Sequence, residues 1–297
     1  MRVFVTGASG FVGSAVVAEL IAAGHHVVGL VRSEAGAAAV EAAGAEVLRG
    51  SLEDIESLRK GTVNADGVVH TAFNHDFTRF AENCELDRRA IAAIGDALAG
   101  SERPLLVTSG LASVAKGRAA TEDDAAVPHS DAYPRVSEAT ALSLIERGVR
   151  ASVVRLPPSV HGDGDHAFVP RLIAVAREKG VAAYVGDGAN HWPAVHRLDA
   201  ARAYRLALER GVGGVRYHVV AEEGVRLKDI AEVIARRLNV PLVSKSPEQA
   251  MAYFGWMGAF TAMDVTATSQ WTREALGWQP ERVGLIEDLE KGTYFKG

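Results

Sequence analysis

The chain has 297 residues, 48% of them hydrophobic, and a formal net charge of −5. That size suits one large α/β domain, or a domain with a smaller lobe, whose core needs no staples. The mild acidity and the lack of any Lys/Arg run speak against a nucleic-acid partner, and a single cysteine, Cys84, excludes an intrachain disulfide and a cysteine-based zinc site. The first apolar run begins at Arg2, which leaves no room for a signal peptide. No apolar stretch is long enough to span a bilayer. A cytoplasmic protein without a membrane partner is therefore expected.

In chain order, residues 3–6 form a short apolar run ending at a glycine and read as a buried strand. Residues 11–23 carry apolar side chains at helical spacing and stop at Gly24, a C-cap signal. Strands follow at 27–31, 45–48 and 67–70, with helices at 35–43, 55–60 and 80–99. A fifth strand is expected at 105–107, a helix at 137–147 and a sixth strand at 151–156. This alternation implies right-handed crossovers and a doubly wound parallel sheet of Rossmann type, covered on both faces. After about residue 157 the rhythm changes. Helices are expected at 168–179, 198–210 and 227–238, and the tail holds Tyr253, Phe254, Trp256, Phe260, Trp271 and Trp278. The expected division is a dinucleotide-binding core over 1–160 and, over 161–297, a smaller lobe that mostly binds substrate and shares a core with the first.

Between the first strand and the first helix lies Thr6-Gly7-Ala8-Ser9-Gly10-Phe11-Val12-Gly13. A tight turn needs Gly7, close approach of a pyrophosphate needs Gly10, and close helix–strand packing needs Gly13. The helix start, with the backbone of Ser9, Phe11 and Val12, then offers free amides to the phosphates. A glycine triplet alone is weak evidence, but here it sits between a strand and a helix at the head of a βα series. At the end of the second strand, a carboxylate would grip the ribose of NAD. The sequence instead has Val31-Arg32-Ser33, with no carboxylate before Glu34. A guanidinium matches a 2′-phosphate, so NADP is expected in preference to NAD.

The glycine spacing resembles the short-chain dehydrogenase/reductase superfamily, and the length and tail resemble its extended branch of epimerase/dehydratase-like enzymes. The resemblance covers nearly the whole chain. Gly50-Ser51-Leu52-Glu53-Asp54 resembles the segment beside adenine, with Ser51 where Asp is usual. His70-Thr71-Ala72-Phe73 resembles the segment that lines the cofactor, and Asp87 stands where Asn is usual. Arg155 to Gly162, including Pro157 and Ser159, resembles the segment whose backbone meets nicotinamide. The superfamily's chemistry rests on a Ser, a Tyr and a Lys four residues after the Tyr, so the resemblance implies Tyr133 as the phenol. The residue four on is Ser137, and Gly110 stands at the serine position with Ser109 one step earlier. This is similar to the atypical subgroup that keeps the fold and the cofactor loop but loses the triad. A free phenol titrates near pH ~10, so without a nearby cation Tyr133 is a poor base, although its hydroxyl still donates a hydrogen bond. Arg135, two residues on, is expected on a different helix face.

Other polar candidates follow strand ends, where ligands bind in such sheets. His75 lies in Asn74-His75-Asp76, His161 in His161-Gly162-Asp163-Gly164-Asp165-His166, and His191 beside Trp192. Any of these imidazoles could supply the missing acid. The cluster at 161–166 lacks a diagnostic metal spacing, and no metal is expected. Phe77, Phe80 and Trp192 are candidates for an apolar pocket wall or for plain core.

The sequence thus predicts an NADP-dependent oxidoreductase acting on a small or moderately apolar carbonyl compound. Hydride would pass between nicotinamide and a carbon held near Tyr133, Ser109 and either His75 or His161. The rivals are a nucleotide-sugar epimerase or dehydratase and a non-catalytic NADP-binding regulator. The oligomeric state is left open, a homodimer included.

Overall fold

Strands and helices alternate through the first half of the computed structural model, which describes residues 1–112 and 114–296. β1 (Arg2–Thr6) leads into α1 (Phe11–Ala22), β2 (His26–Val31) into α2 (Glu34–Ala42), β3 (Glu46–Arg49) into α3 (Ile55–Val63), and β4 (Gly67–His70) towards α4 (Phe80–Leu98). β5 (Pro104–Gly110), α5 (Ser137–Ser143) and β6 (Arg150–Leu156) complete the series. Side chains cap the starts of α2 and α3: Ser33 accepts from the Gly36 amide at 3.1 Å, and Asp54 from the Ser57 amide at 3.2 Å. Each such cap is worth about 1 kcal/mol. At α1, Gly10 provides no side-chain cap, so the first-turn amides are left for another partner.

Beyond β6 come β7 (Ser159–His161), α6 (Phe168–Lys179), β8 (Ala182–Val185), β9 (His191–His196), α7 (Arg197–Arg210) and β10 (Arg216–His218). β11 (Glu222–Arg226), α8 (Leu227–Leu238) and β12 (Leu242–Lys245) follow, then α9 (Pro247–Phe254), α10 (Gly258–Thr261), α11 (Gln270–Leu276) and α12 (Leu285–Lys291). The main sheet has seven parallel strands in the order β10-β6-β5-β4-β1-β2-β3. The expected Rossmann-type sheet is present, and the three residues of β10 add a strand too short to leave a periodic signal. Two small sheets, β11-β9-β7 and β12-β8, have no counterpart among the expected elements, and β7 ends on His161, the first residue of the expected polar loop at 161–166. β7 has three residues, and β9 carries Pro193, which cannot donate to a ladder.

One face of the main sheet is covered by α1 and α7. Ala15, Val16 and Leu20 meet Ala200, Ala203 and Tyr204, all essentially inaccessible; the small residues let the two helices approach closely. Trp278 joins this core from the tail, its indole donating to the Asp199 carbonyl at 3.0 Å. α3, α4 and α5 cover the other face through Leu58, Ile91, Ile94 and Ala141. A further core, around Trp192, Ile230 and Leu285, holds α6, α8 and α12.

Because the seven strands run the same way, Thr6, Val31, His70, Gly110 and Leu156 end along one edge. The chain winds outward from β1 through β2 to β3, then returns to β4 on the other side of β1. That reversal opens a crevice at the carboxyl ends of β1 and β4, where sheets of this kind hold ligands.

Candidate active site

The floor of the crevice is backbone. Gly7 holds φ +69°, and a Cβ there would lie 2.8 Å from the Ala72 nitrogen. A Cβ on Gly13 would lie 2.0 Å from the Gly7 oxygen, so the loop closes onto α1 only with glycine at 13. A Cβ on Gly10 would meet the Gly7 oxygen at 3.2 Å and otherwise enter open space. Thr6 ties the loop to the next segment: its carbonyl accepts from the Thr71 hydroxyl at 2.7 Å, and its hydroxyl from the Ala72 amide at 3.3 Å. Ser9 rests against the start of α2, where a Cβ on Gly36 would stand 3.1 Å from its hydroxyl. The Phe11 ring is engaged by Arg197, 5.1 Å away, and edge-on by His166 at 5.8 Å. Phe11 and Val12 open α1, whose start carries no side-chain cap. Open space at Gly10 in front of an uncapped helix N-terminus fits the pyrophosphate of a dinucleotide.

At the end of β2, Arg32 is exposed and makes no hydrogen bond or ion pair among the described residues. Arg49, absent from the sequence expectations, ends β3 in register with Val31 and pairs with the exposed Glu34. The Glu53 carboxylate is held below its ordinary pKa, first by the neighbouring Ser51 hydroxyl, then by its own backbone amide and, with lesser help, by Arg32. Leu52 packs from the rim into the core that contains Leu58.

On the opposite wall, Tyr133 belongs to no helix. Its amide donates to the Ser130 carbonyl at 2.9 Å, Pro134 follows, and α5 begins only at Ser137. The expectation that Arg135 points away along another helix face is therefore corrected, because no helix spans the two residues. Tyr133 and Arg135 line one cavity of about 140 Å³, together with Ser109, Gly110 and Ser137.

Buried polar groups fix this wall. The Ser137 hydroxyl donates to Asp87 and accepts from Arg135 Nε at 3.1 Å. The other Asp87 oxygen meets His70 Nε2 at 2.9 Å, and His70 Nδ1 meets the Thr6 hydroxyl at 2.8 Å. The Asp87 carboxylate only accepts, which assigns Nε2–H to it, and in that neutral tautomer Nδ1 accepts from the Thr6 hydroxyl. A hydrogen-bonded chain thus runs from the cavity to the glycine loop. Thr108 steadies the same wall, donating to the His70 carbonyl at 2.8 Å and accepting from the buried Tyr204 hydroxyl at 2.7 Å. α5 itself is anchored by Glu138, which accepts two hydrogen bonds from the buried Arg155. Burial pushes the Tyr133 phenol above its ordinary pKa, and the Arg135 charge opposes that rise. Cys84 nearby is pushed up to about 11, chiefly by burial.

His75 sits at the rim, edge-on to Phe73 at 5.2 Å. Lost hydration, and after it the Arg135 charge, holds its imidazole below the ordinary value. Phe77 continues this row of rings and stacks on Trp256 at 4.8 Å.

The structure does not bring His161 to Tyr133 and Ser109. It lies 1% exposed in β7, with Nδ1 on Asp288 at 2.8 Å, enclosed by the second sheet and α12. His191 pairs with Asp264 at 3.0 Å on the same small sheet. In the 161–166 loop, Asp163 accepts from Thr293 and Asp165 from Tyr294. Among the described residues no group of three or more His, Cys, Asp or Glu is arranged to hold a metal ion. Pro157 is buried just past β6, and Ser159 pairs with Ala194 with its hydroxyl buried and unpartnered. No helix among the described residues is long and apolar enough to cross a membrane.

Residues 3–221 match the NAD dependent epimerase/dehydratase family. An uncharacterized protein of Schizosaccharomyces pombe is 50% identical over 295 residues, which is 99% of this chain and 100% of that one. The 4-hydroxy-2-methyl-3-oxo-4-farnesyl-3,4-dihydroquinoline-1-oxide ketoreductase of Stigmatella aurantiaca is 31% identical, over 84% of this chain and 77% of its own. Among solved structures, dTDP-glucose 4,6-dehydratase of Streptomyces venezuelae with NAD and TYD bound has a TM-score of 0.78 at 20% identity, covering 99% of this chain and 96% of that one. That last likeness is one of fold.

Proposed function

We propose that this chain, which belongs to the NAD dependent epimerase/dehydratase family, is an NADP-dependent reductase of a small or moderately apolar carbonyl compound. The observation that carries the reading is the shared cavity of Tyr133, Ser109 and Arg135, joined through buried groups to the glycine loop. The dinucleotide would supply the hydride, and the protein the position and polarisation. The loop from Gly7 to Gly13 and the first amides of α1 would hold the pyrophosphate. Arg32, assisted by Arg49, would hold the 2′-phosphate. Ser51, Leu52, Ala72 and Phe73 would flank the adenosine and the ribose, and the backbone at Pro157 and Ser159 the nicotinamide.

Tyr133 would act as a hydrogen-bond and proton donor to the substrate oxygen, with Ser109 beside it and His75 at the rim. This scheme does without the Tyr–Lys pair, since Ser137 stands four residues after Tyr133 and is committed to Asp87. The row of rings from Phe73 through Phe77 to Trp256 supports an apolar substrate. The ketoreductase relative supports carbonyl reduction. The test is NADPH oxidation against a panel of ketones and aldehydes, with NADPH and NADH affinities measured by calorimetry. Tight NADPH binding with no turnover on any carbonyl would leave a non-catalytic dinucleotide-binding protein instead.

A further inference from the structure

Two of the three guanidinium nitrogens of Arg135 are anchored. Nε donates to Ser137 at 3.1 Å and Nη2 to the Thr108 carbonyl at 3.3 Å, while the guanidinium carbon lies 4.5 Å above the centre of the Phe73 ring. Nη1 has no hydrogen-bond partner among the described residues. It stands 4.0 Å from the point where a Cβ on Gly110 would be, and apart from Gly110's own chain neighbours no other atom of the described residues comes that near the point. Gly110 therefore leaves a side chain's worth of space that Nη1 borders, inside the cavity that Tyr133 and Ser109 also line. No carboxylate among the described residues pairs with this guanidinium: Asp87 is taken up by Ser137 and His70. A planar cation locked by two anchors and a ring, with one nitrogen free, is preorganised to donate to something not yet present.

We propose that Arg135 Nη1 and the Tyr133 phenol together hold the carbonyl oxygen of the substrate, which makes Arg135 a catalytic residue. The assignment rests on the reductase reading above. It gives one side chain the donor expected at position 110 and the cation expected at position 137. In the reduction, hydride adds to the carbonyl carbon, the π pair moves onto oxygen, and the phenol proton passes to that oxygen. The reduced dinucleotide is the hydride donor, and solvent returns a proton to Tyr133. The guanidinium donates to the oxygen and stabilises the charge that develops there, the work of an oxyanion hole. The charged and titratable groups facing Tyr133 are Arg135, Glu138, Cys84 and Arg155; those facing His75 are Arg135, His166 and Asp87.

Arg135→Met keeps the stem and removes the donors. On a carbonyl that the unmodified enzyme reduces, kcat is expected to fall by about 100-fold or more, with NADPH affinity little changed. Adding Gly110→Ser to that variant places a hydroxyl in the vacated space and should recover about tenfold; a purely structural arginine would not be rescued this way. Arg135→Lys, which keeps the charge but not the fork, should fall between. A readout without turnover is the NMR titration of His75 in the apoprotein, assigned with His75→Gln. Its pKa should rise in Arg135→Met and return in Arg135→Lys. Arg135→Gln, read by the same criteria, replaces the Met variant if that does not fold. Near-normal turnover in Arg135→Met, no recovery from Gly110→Ser, or an unmoved His75 titration overturns the assignment and leaves the reductase reading standing. An unmodified enzyme that reduces no carbonyl overturns both.

Discussion

The two walls of the crevice are made differently. The glycine-loop wall is defined by atoms that are missing: no Cβ at Gly7 or Gly13, where one would collide with backbone, and none at Gly10, where open space is kept. The Tyr133 wall is defined by side chains brought in from far apart, Asp87 from α4, Thr108 and Ser109 from β5, Arg135 from the segment before α5 and Ser137 from its first residue. In the first wall a side chain at Gly7 or Gly13 would collide with backbone. The second is held by hydrogen bonds between those side chains. Ser137 and Asp87, at positions where the family resemblance leads one to expect Lys and Asn, hydrogen-bond each other.

The largest expected effect tests the first wall. Gly10 has φ −78°, which any residue adopts, so Gly10→Val should fold. Its methyl groups would fill the space the pyrophosphate needs, and dinucleotide affinity should fall by at least about 100-fold. A folded variant that binds NADPH normally in calorimetry would sink the reading of the loop.

Next comes the second wall. Tyr133→Phe removes one donor of the proposed pair and should lower turnover by about 10–100-fold, with KM changed less. Turnover equal to that of the unmodified enzyme would move the proton donor elsewhere, with His75 first in line for replacement by Ala.

A smaller effect lies at the far end of the cofactor. A charge-assisted contact to a 2′-phosphate is worth about 1.5–3 kcal/mol, so NADPH should bind about tenfold or more tighter than NADH. Arg32→Ala should shrink that gap without closing it while Arg49 remains. Equal affinities for the two cofactors in the unmodified protein would end the NADP assignment.

The contrast between the walls also explains what could be read in the sequence. Six strands of the main sheet and the loop at its switch point follow from apolar runs and glycine spacing, local signals that the backbone imposes directly. β10 and the strands of the small sheets span six residues or fewer and take their order from tertiary pairing. Tyr133 and Ser109 were legible by position along the chain, and the structure brings them to one cavity. Arg135 was misplaced because helical spacing was extended back to Tyr133, although Pro134 and the helix start at Ser137 intervene. The Asp87–Ser137 link joins residues 50 apart, and no periodicity reports such a contact. His161 shows the converse: a polar loop at a strand end suggests chemistry, but the ring is buried against Asp288 by a helix at the other end of the chain.

The smallest expected effect is the most diagnostic of which group moves the proton. Burial raises the Tyr133 pKa above its ordinary value near 10, Arg135 opposing, so the phenol stays protonated throughout the neutral range. His75 is held below its ordinary 6.5, so above pH 7 it is neutral and stays so. Neither group changes state between pH 7 and pH 9, and kcat for carbonyl reduction should vary there by no more than about twofold. The reverse reaction needs the phenolate to accept the alcohol proton. Below the phenol's pKa the phenolate fraction grows about tenfold per pH unit, so alcohol oxidation should climb steeply over the interval in which reduction is flat. A flat profile in one direction and a steep one in the other belongs to a high-pKa acid. A midpoint below pH 6.5 in the reduction would assign the step to the His75 imidazole, and the Tyr133 wall would then be a binding surface only.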